Sequence, residues 1–171
     1  MVSISIRLAD PGHLAAIPGI EIAAAAMFPE ADLPLEFRHK VTEMRDLRAA
    51  VDRGQMWVAV NEQQKTVGFA SADVVDGQAY LEELDVLPDF GRQGIGTRLL
   101  ARVINWARDQ QFRYLVLVTF RHLPWNAPFY EKLGFEVLNS SEHGPEIAGL
   151  IKEERLAGLN VANRVVMRLK L

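Results

Sequence analysis

A strand-like run, a glycine loop and the start of a helix follow one another in Val86-Leu87-Pro88-Asp89-Phe90-Gly91-Arg92-Gln93-Gly94-Ile95-Gly96-Thr97-Arg98-Leu99-Leu100. The apolar run ends at a proline, and an amphipathic pattern begins at the last two glycines. A helix start offers unpaired backbone N–H groups and the positive end of the helix dipole, and glycine lets a ligand approach that backbone closely. The stretch therefore predicts a site for a phosphate-bearing ligand at a helix N-terminus.

The composition is that of one globular domain, predicted over residues 1–171, with 49% hydrophobic and 24% charged residues. A net charge of −3 argues against broad nucleic-acid binding. The chain has no cysteine, which excludes disulfides, thiolate nucleophiles and sulfur-ligated zinc, and its four histidines show no metal-ligand spacing. Because no apolar run reaches the roughly 20 residues of a membrane span and the first residues lack a signal-peptide pattern, we expect a cytoplasmic protein without metal or membrane partner.

Apolar periodicity predicts an α+β fold, in which helices pack on a mixed sheet. Ile4, Ile6 and Leu8 alternate onto one face of the first strand, Asp10-Pro11 starts a helix, and Asp76-Gly77 is a hairpin signal. The predicted strands are 3–8, 56–61, 66–75, 79–87, 114–119, a short strand after Phe135, and 161–171. The predicted helices are one from Asp10-Pro11 to Pro18-Gly19, then 19–27, 35–53, 94–109, 126–133 and 145–157.

Three classes of glycine loop compete for the phosphate site. A Walker-type loop needs a lysine after its glycines, and this chain has none there. A dinucleotide fingerprint has the order G-x-G-x-x-G, whereas Gly91, Gly94 and Gly96 give the reverse order after three hairpin-like strands. The third class is the pyrophosphate loop of acyl-coenzyme A transferases.

Two motifs together carry a family resemblance. Gly94-Ile95-Gly96 matches the end of the pattern [Q/R]-x-x-G-x-[G/A], although Gly91 stands at the [Q/R] position and the basic residue, Arg92, follows it. The segment Asn126-Ala127-Pro128-Phe129-Tyr130-Glu131-Lys132-Leu133-Gly134-Phe135 contains a full Tyr-x-x-x-Gly-Phe match. With both motifs in order, the chain from residue 3 to 171 resembles the GNAT superfamily of acyl-CoA-dependent N-acyltransferases.

The resemblance implies the acyl-CoA N-acyltransferase fold and acetyl-CoA as the acyl donor. That fold is a three-layer arrangement whose mixed, mostly antiparallel sheet splays between strands 79–87 and 114–119, with helices on both faces. The pantetheine arm would bond the main chain of Leu84, Asp85 and Val86. The pyrophosphate would bind the backbone N–H groups of Arg92, Gln93, Gly94, Ile95, Gly96 and Thr97.

Two further residues are assigned to the cofactor site by the resemblance. Asn126 either bonds the pantetheine arm or caps the helix that it begins, and the sequence leaves both open. Phe129 is expected to pack in the cofactor site and not to take part in catalysis.

The candidate catalytic residues are one tyrosine and two glutamates. Tyr130 is protonated at neutral pH and can give a proton to the departing CoA thiolate; the alternative is a tyrosine that only packs its helix. Glu82 or Glu83 can take the proton of the attacking amine, and water is the other candidate. Adjacent strand residues point to opposite faces, so only one glutamate can face a given site. An exposed edge or a structural salt bridge is the alternative for both.

The expected acceptor is the primary amine of a small molecule, to which the acetyl group passes directly. In relatives the acceptor pocket forms from two segments that correspond to 27–35, with Phe28, Glu30 and Asp32, and to about 139–163. The helix at 145–157 could cover the site or pair with a second copy in a homodimer. His122 is a weaker substrate-binding candidate. A protein or peptide N-acetyltransferase and a non-catalytic acyl-CoA sensor are the alternatives.

Overall fold

The computed structural model describes residues 3–171, so Met1 and Val2 of the predicted domain lie outside the described residues. Seven strands form a mixed sheet in the order β1-β2-β3-β4-β5-β7-β6. The strands are β1 Ile4–Leu8, β2 Met56–Asn61, β3 Thr66–Val75, β4 Gln78–Val86, β5 Tyr114–Phe120, β6 Glu136–Val137 and β7 Arg164–Lys170. The α-helices are α1 Ile17–Ala25, α2 Met44–Asp52, α3 Ile95–Asp109, α4 Ala127–Glu131 and α5 Pro145–Leu156.

The chain divides into two compact units, and β4 contributes to both. The first unit comprises residues 3–73 with Leu81–Trp106, and the second comprises Val74–Tyr80 with Ala107–Leu171. The single domain over 1–171 therefore stays a prediction. None of the helices within residues 3–171 has the length and apolar character needed to span a membrane.

Strand β2 is the centre of the first unit, because all of its residues are buried. It pairs antiparallel with β1 and β3. On one side of it Met56 and Val58 join a core cluster with apolar residues of α1 and α2. Trp57 lies instead against Trp106 of α3, with ring centroids 6.1 Å apart. The alternation of β2 thus places helices on both faces of this unit.

The second unit is built on β7, which pairs antiparallel with β5 along its whole length and with the short β6. The first residues of β4 join it in parallel, with Ala79 opposite Leu115. The predicted mixed, mostly antiparallel sheet is confirmed, and the predicted splaying of β4 from β5 stays a prediction. Arg164 at the start of β7 makes a two-point ion pair with Glu154 of α5, which attaches that helix to the strand.

Three local predictions differ from the structure. Residues 35–53 do not form one helix: a short 3-10 helix covers Leu35–Phe37, and α2 begins only at Met44. The predicted helix end at Pro18-Gly19 is wrong: a 3-10 helix ends at Ala16, and α1 runs through Pro18 and Gly19, because proline is tolerated in the first turn of a helix. The last strand begins at Arg164 and not at 161, since the Asn160 side chain accepts a hydrogen bond from the Ala162 N–H and caps a 3-10 turn.

The break in the predicted helix 35–53 has a long-range cause. Glu21 of α1 is 5% exposed, and its carboxylate accepts hydrogen bonds from the Thr42 N–H at 3.0 Å and the Thr42 Oγ at 2.6 Å. A buried carboxylate needs such donors. Because the Thr42 N–H is used there, it does not enter a helical ladder, and α2 starts after it.

The β3–β4 hairpin fixes the start of α5. Asp76 and Gly77 both have positive φ, 49° and 69°, the conformation of the predicted tight hairpin turn. The Asp76 carboxylate accepts hydrogen bonds from the N–H groups of Glu146 and Ile147 at 2.9 and 3.0 Å, and the Glu146 carboxylate accepts one from the Asp76 N–H. This is a reciprocal helix cap supplied by a segment distant in sequence.

We predict that Gly144→Ala weakens this cap while Gly149→Ala does not. A Cβ on Gly144 would overlap the Asp76 carboxylate, whereas a Cβ on Gly149, also in the α5 region, would meet nothing within 4 Å. Loss of the cap should lower the free energy of unfolding by about 1–2 kcal/mol. Gly149→Ala should leave it unchanged or raise it by up to about 1 kcal/mol. Thermal melts of both variants measure this, and equal melting temperatures would contradict the prediction.

Candidate active site

The glycine loop has a backbone that favours anion binding. A 3-10 helix over Pro88–Phe90 follows β4, and α3 begins at Ile95, one residue after the predicted start. Arg92 and Gly94 both have positive φ, 57° and 75°. Left-handed residues in a tight turn form concavities of N–H groups that attract anions, and the first N–H groups of α3 have no intrahelical acceptor.

The loop is open to a ligand at Gly94. A Cβ there would contact no atom within 4 Å, so glycine is favoured at this position by its positive φ and not by crowding from the protein. The residues from Gly91 to Gly94 are exposed. These observations fit a pyrophosphate held by backbone groups. The left-handed conformation of Arg92 was not foreseen from the sequence, because arginine carries no preference for it.

A close backbone contact holds the end of β4 against β3. The carbonyl oxygen of Asp85 lies 2.9 Å from where a Cβ of Gly68 would be, so only glycine fits at that position. The Leu87 N–H donates to the Val67 carbonyl at 2.8 Å. Leu84, Asp85 and Val86, predicted to bond the pantetheine arm, are half-buried in this part of β4.

Glu82 lines a pocket in the first unit. Its carboxylate accepts a hydrogen bond from the Ser71 Oγ at 3.2 Å, and it shares a cavity of about 180 Å³ with residues of α2 and β3. The residue as a whole remains exposed. Partial desolvation in the pocket raises the pKa of Glu82; Ser71 and Arg53 counteract this rise, whereas Asp73 and Asp46 add to it. A carboxylate with a raised pKa and access to a cavity can accept a proton.

Glu83 lies in a different environment, a group of carboxyls in which Glu83 and Asp85 are half-buried and Glu21 is buried. Burial raises its pKa well above the ordinary value, and the neighbouring Asp85 and Glu21 carboxyls raise it further. Burial also raises the pKa of Asp85, although a hydrogen bond from Glu83 opposes that effect. Glu83 is therefore the protonated partner of this pair at neutral pH, and it is poorly suited to accept a proton from an amine.

The alternation argument for the two glutamates is only partly right. Glu83 and Asp85 share a face and a hydrogen bond, as alternation predicts. Thr42, however, lines the cavity with Glu82 and also lies 3.5 Å from the Glu83 carboxylate. Both glutamates thus have a neighbour in common, which alternation along β4 does not predict. Sequence reasoning also missed Thr42, Ser71 and Glu21, because their partners are distant in the chain.

Tyr130, Asn126 and Phe129 belong to the second unit. Tyr130 is 8% exposed and makes edge-to-face contacts with Phe129 and Phe135, at ring-centroid distances of 5.0 and 5.5 Å. The idea that the Asn126 side chain caps α4 is wrong, because that side chain makes no cap hydrogen bond. Its Oδ1 instead accepts from the Thr119 Oγ at 2.7 Å and from the Phe120 N–H at 3.3 Å, at the end of β5.

The predicted acceptor segment 27–35 is held by one arginine. Arg38 donates to the Phe28 carbonyl at 2.7 Å and to the Leu33 carbonyl at 3.2 Å. Asp32 is buried, whereas Glu30 is exposed, and so is His122 in the second unit. Among residues 3–171 no group of three or more His, Cys, Asp or Glu side chains is placed to hold a metal ion.

We predict that Glu83→Gln reduces the loss of stability at high pH. Because burial raises the pKa of Glu83 above its value in the unfolded chain, the stability it contributes is present at low pH and is lost as the pH rises through the raised value. One such group contributes a slope of at most about 1.4 kcal/mol per pH unit. Gln reproduces the protonated form, so the variant should lose less unfolding free energy between about pH 5 and pH 9.

Denaturant unfolding at several pH values measures how the free energy of unfolding depends on pH. Glu153→Gln is the control, because Glu153 is an exposed glutamate of α5. If Glu83→Gln and Glu153→Gln have the same slope as the unsubstituted protein, then the buried carboxyl group does not take up a proton on folding.

Comparison with known proteins connects this geometry to a family. The model of the acetyltransferase (GNAT) family matches residues 21–135. The chain is 32% identical over 111 residues to the peptidyl-lysine N-acetyltransferase YjaB of Escherichia coli (strain K12), covering 64% of this chain and 67% of that protein. It is also 32% identical over 120 residues to the aminoglycoside N(6')-acetyltransferase type 1 of Stenotrophomonas maltophilia, covering 65% and 72% of the two chains.

Solved structures agree on the fold. The PaiA N-acetyltransferase of Thermoplasma acidophilum, solved in complex with coenzyme A, superimposes with a TM-score of 0.70 over 99% of each chain at 18% identity. The family match contains the glycine loop and the segment from Asn126 to Phe135, whereas α5 and β7 follow it. On this match, the chain belongs to the acetyltransferase (GNAT) family and is an acyltransferase.

Proposed function

We propose that the protein transfers the acetyl group of acetyl-CoA directly to a primary amine of a small molecule. The observation that carries this proposal is the β4–loop–α3 junction, with left-handed backbone at Arg92 and Gly94 and open space at Gly94. In this proposal the N–H groups of residues 92–97 hold the pyrophosphate, and the main chain of Leu84, Asp85 and Val86 bonds the pantetheine arm.

The reaction needs two proton movements. The neutral amine nitrogen forms a bond to the thioester carbonyl carbon, the carbon–sulfur bond breaks, and the CoA sulfur leaves with the electron pair. Tyr130 gives its phenolic proton to that sulfur. The phenol suits this role because its ordinary pKa of about 10 keeps it protonated at neutral pH. No acyl-enzyme on cysteine can form, since the chain has none.

Glu82 is the proposed base. Its pKa is raised toward the range useful for proton transfer, and its carboxylate borders a cavity that an amine can enter. Glu83 is half-buried among carboxyls and protonated, so it is the weaker candidate. Asn126 and Phe129 stay proposed cofactor contacts, and Asn126 reaches the cofactor in this scheme through groups other than the bonded Oδ1.

Acetylation of a peptide lysine is the second candidate function. It is supported by the 32% identity to the peptidyl-lysine N-acetyltransferase of Escherichia coli. The equal identity to an aminoglycoside acetyltransferase supports a small-molecule acceptor. The cavity beside Glu82, about 180 Å³, suits an aliphatic amine, whether it belongs to a small molecule or to a lysine side chain.

We predict that Gly94→Ala weakens acetyl-CoA binding and that Gly77→Ala does not. Both glycines have similar positive φ, 75° and 69°, and a Cβ at either would meet nothing within 4 Å, so the conformational strain is matched. Only the Gly94 methyl group would occupy the ligand side of the loop. We expect the Kd for CoA to rise by about tenfold or more in Gly94→Ala. Calorimetric titration of both variants measures it, and equal Kd values would remove the loop from the cofactor site.

We predict that Tyr130→Phe and Glu82→Gln each lower kcat by about a hundredfold, the usual size of a general acid or base effect. The Kd for CoA should stay near that of the unsubstituted protein. Tyr114→Phe is the matched control, a half-buried tyrosine of the same unit that stacks on Arg113 and Arg168. Thiol release with a panel of amines and lysine peptides gives kcat for each variant.

The comparison of the two glutamates decides the base. Glu82→Gln is expected to lower kcat more than Glu83→Gln, and the reverse order would give the role to Glu83. If Tyr130→Phe turns over as fast as Tyr114→Phe, the proton comes from another donor. If CoA binds but no amine or peptide releases thiol, the chain acts as a sensor and the proposed function is wrong.

A further inference from the structure

The pocket beside Glu82 combines an apolar lining with an excess of carboxylates. Its apolar part comes from α2 and β2, with Leu47, Ala50 and Met56. Its polar part includes the hydroxyls of Thr42 and Ser71 and the side chains described next. A pocket with both kinds of lining can bury an aliphatic chain and pair with the charged group at its end.

The charged residues of the pocket are three carboxylates and one guanidinium. Asp46 on α2, Asp73 on β3 and Glu82 on β4 supply the carboxylates, and Arg53 supplies the guanidinium. The Arg53 Nε already donates to the Gln55 Oε1. Asp46 is exposed and lies 3.6 Å from the Arg45 Nε, an ion pair that water screens. The excess of negative charge in the pocket suits a cationic ligand.

The volume of the pocket limits the size of the ligand that it can enclose. A cavity of about 180 Å³ is smaller than the roughly 300–1,000 Å³ of pockets that enclose drug-sized molecules. It can hold a short aliphatic chain with its amines, and a ring system or a folded peptide segment would extend beyond it.

We propose that this pocket binds the acceptor and that the acceptor is a short aliphatic diamine. The inference rests on the proposed function and names its substrate class. One amine lies at Glu82 and receives the acetyl group, and the second, as an ammonium, pairs with Asp46 and Asp73. The methylene chain between them lies on Leu47, Ala50 and Met56.

The test compares diaminobutane with butylamine, which have the same chain length and differ in the second amine. Thiol release from acetyl-CoA gives kcat and KM for each at low and high salt. We expect kcat/KM to be about tenfold higher for diaminobutane than for butylamine, because its second ammonium makes one or two contacts with carboxylates. The preference should shrink at high ionic strength, because salt screens exposed charges.

Three variants locate the preference in the pocket. Asp46→Asn and Asp73→Asn should each raise the KM for diaminobutane by about fivefold more than the KM for butylamine, because butylamine has no second ammonium that loses a carboxylate partner. Asp52→Asn is the control: Asp52 is also an exposed aspartate of α2, but it does not line the pocket. Asp52→Asn changes the net charge by the same amount as the two pocket variants and should leave the KM for diaminobutane unchanged.

The possible outcomes distinguish a failure of the diamine inference from a failure of the proposed function. Equal kcat/KM for diaminobutane and butylamine, or equal effects of Asp73→Asn and Asp52→Asn, would overturn the diamine while leaving the acetyltransferase intact. A lysine peptide used more efficiently than diaminobutane would overturn it as well. If no amine or peptide releases thiol although CoA binds, the proposed function fails and the inference fails with it.

Discussion

A buried carboxylate on α1 organises the candidate acceptor side of the first unit. Glu21 accepts two hydrogen bonds from Thr42, one from its N–H and one from its hydroxyl. A carboxylate left without donors at that depth would be strongly destabilising, so the position of Thr42 is fixed. The chain therefore cannot continue a helix through residue 42, and α2 starts at Met44 with its apolar side on β2.

Two carboxyl environments on β4 follow from that arrangement. Glu82 faces the cavity bordered by α2 and bonds to Ser71, where it stays accessible. Glu83 and Asp85 are half-buried beside the buried Glu21, where one carboxyl keeps its proton to avoid repulsion. Neighbouring residues of one strand thus lie in different environments, and the cavity and the Ser71 contact at Glu82 are what support its proposed role as the base.

The local parts of the fold followed from local sequence signals. The Asp76-Gly77 hairpin and the loop-to-helix junction at Gly94 were predicted correctly, because positive φ at glycine and the apolar periodicity of α3 are properties of short segments. The helix over 35–53 and the cap by Asn126 were wrong. In both cases a side chain bonds a partner elsewhere: Thr42 bonds Glu21, and Asn126 bonds Thr119.

The sequence by itself determined the family and the position of the glycine loop before α3, since the order of glycines and the Tyr-x-x-x-Gly-Phe segment are readable along the chain. Only the tertiary structure decided which glutamate borders a cavity, which one lies among other carboxyls, and that α5 is capped by the distant Asp76. The physical reason is that burial and hydrogen-bond partners depend on contacts between residues far apart in sequence. Periodicity indicates on which face of a helix or strand a side chain lies, but not which residues it contacts there.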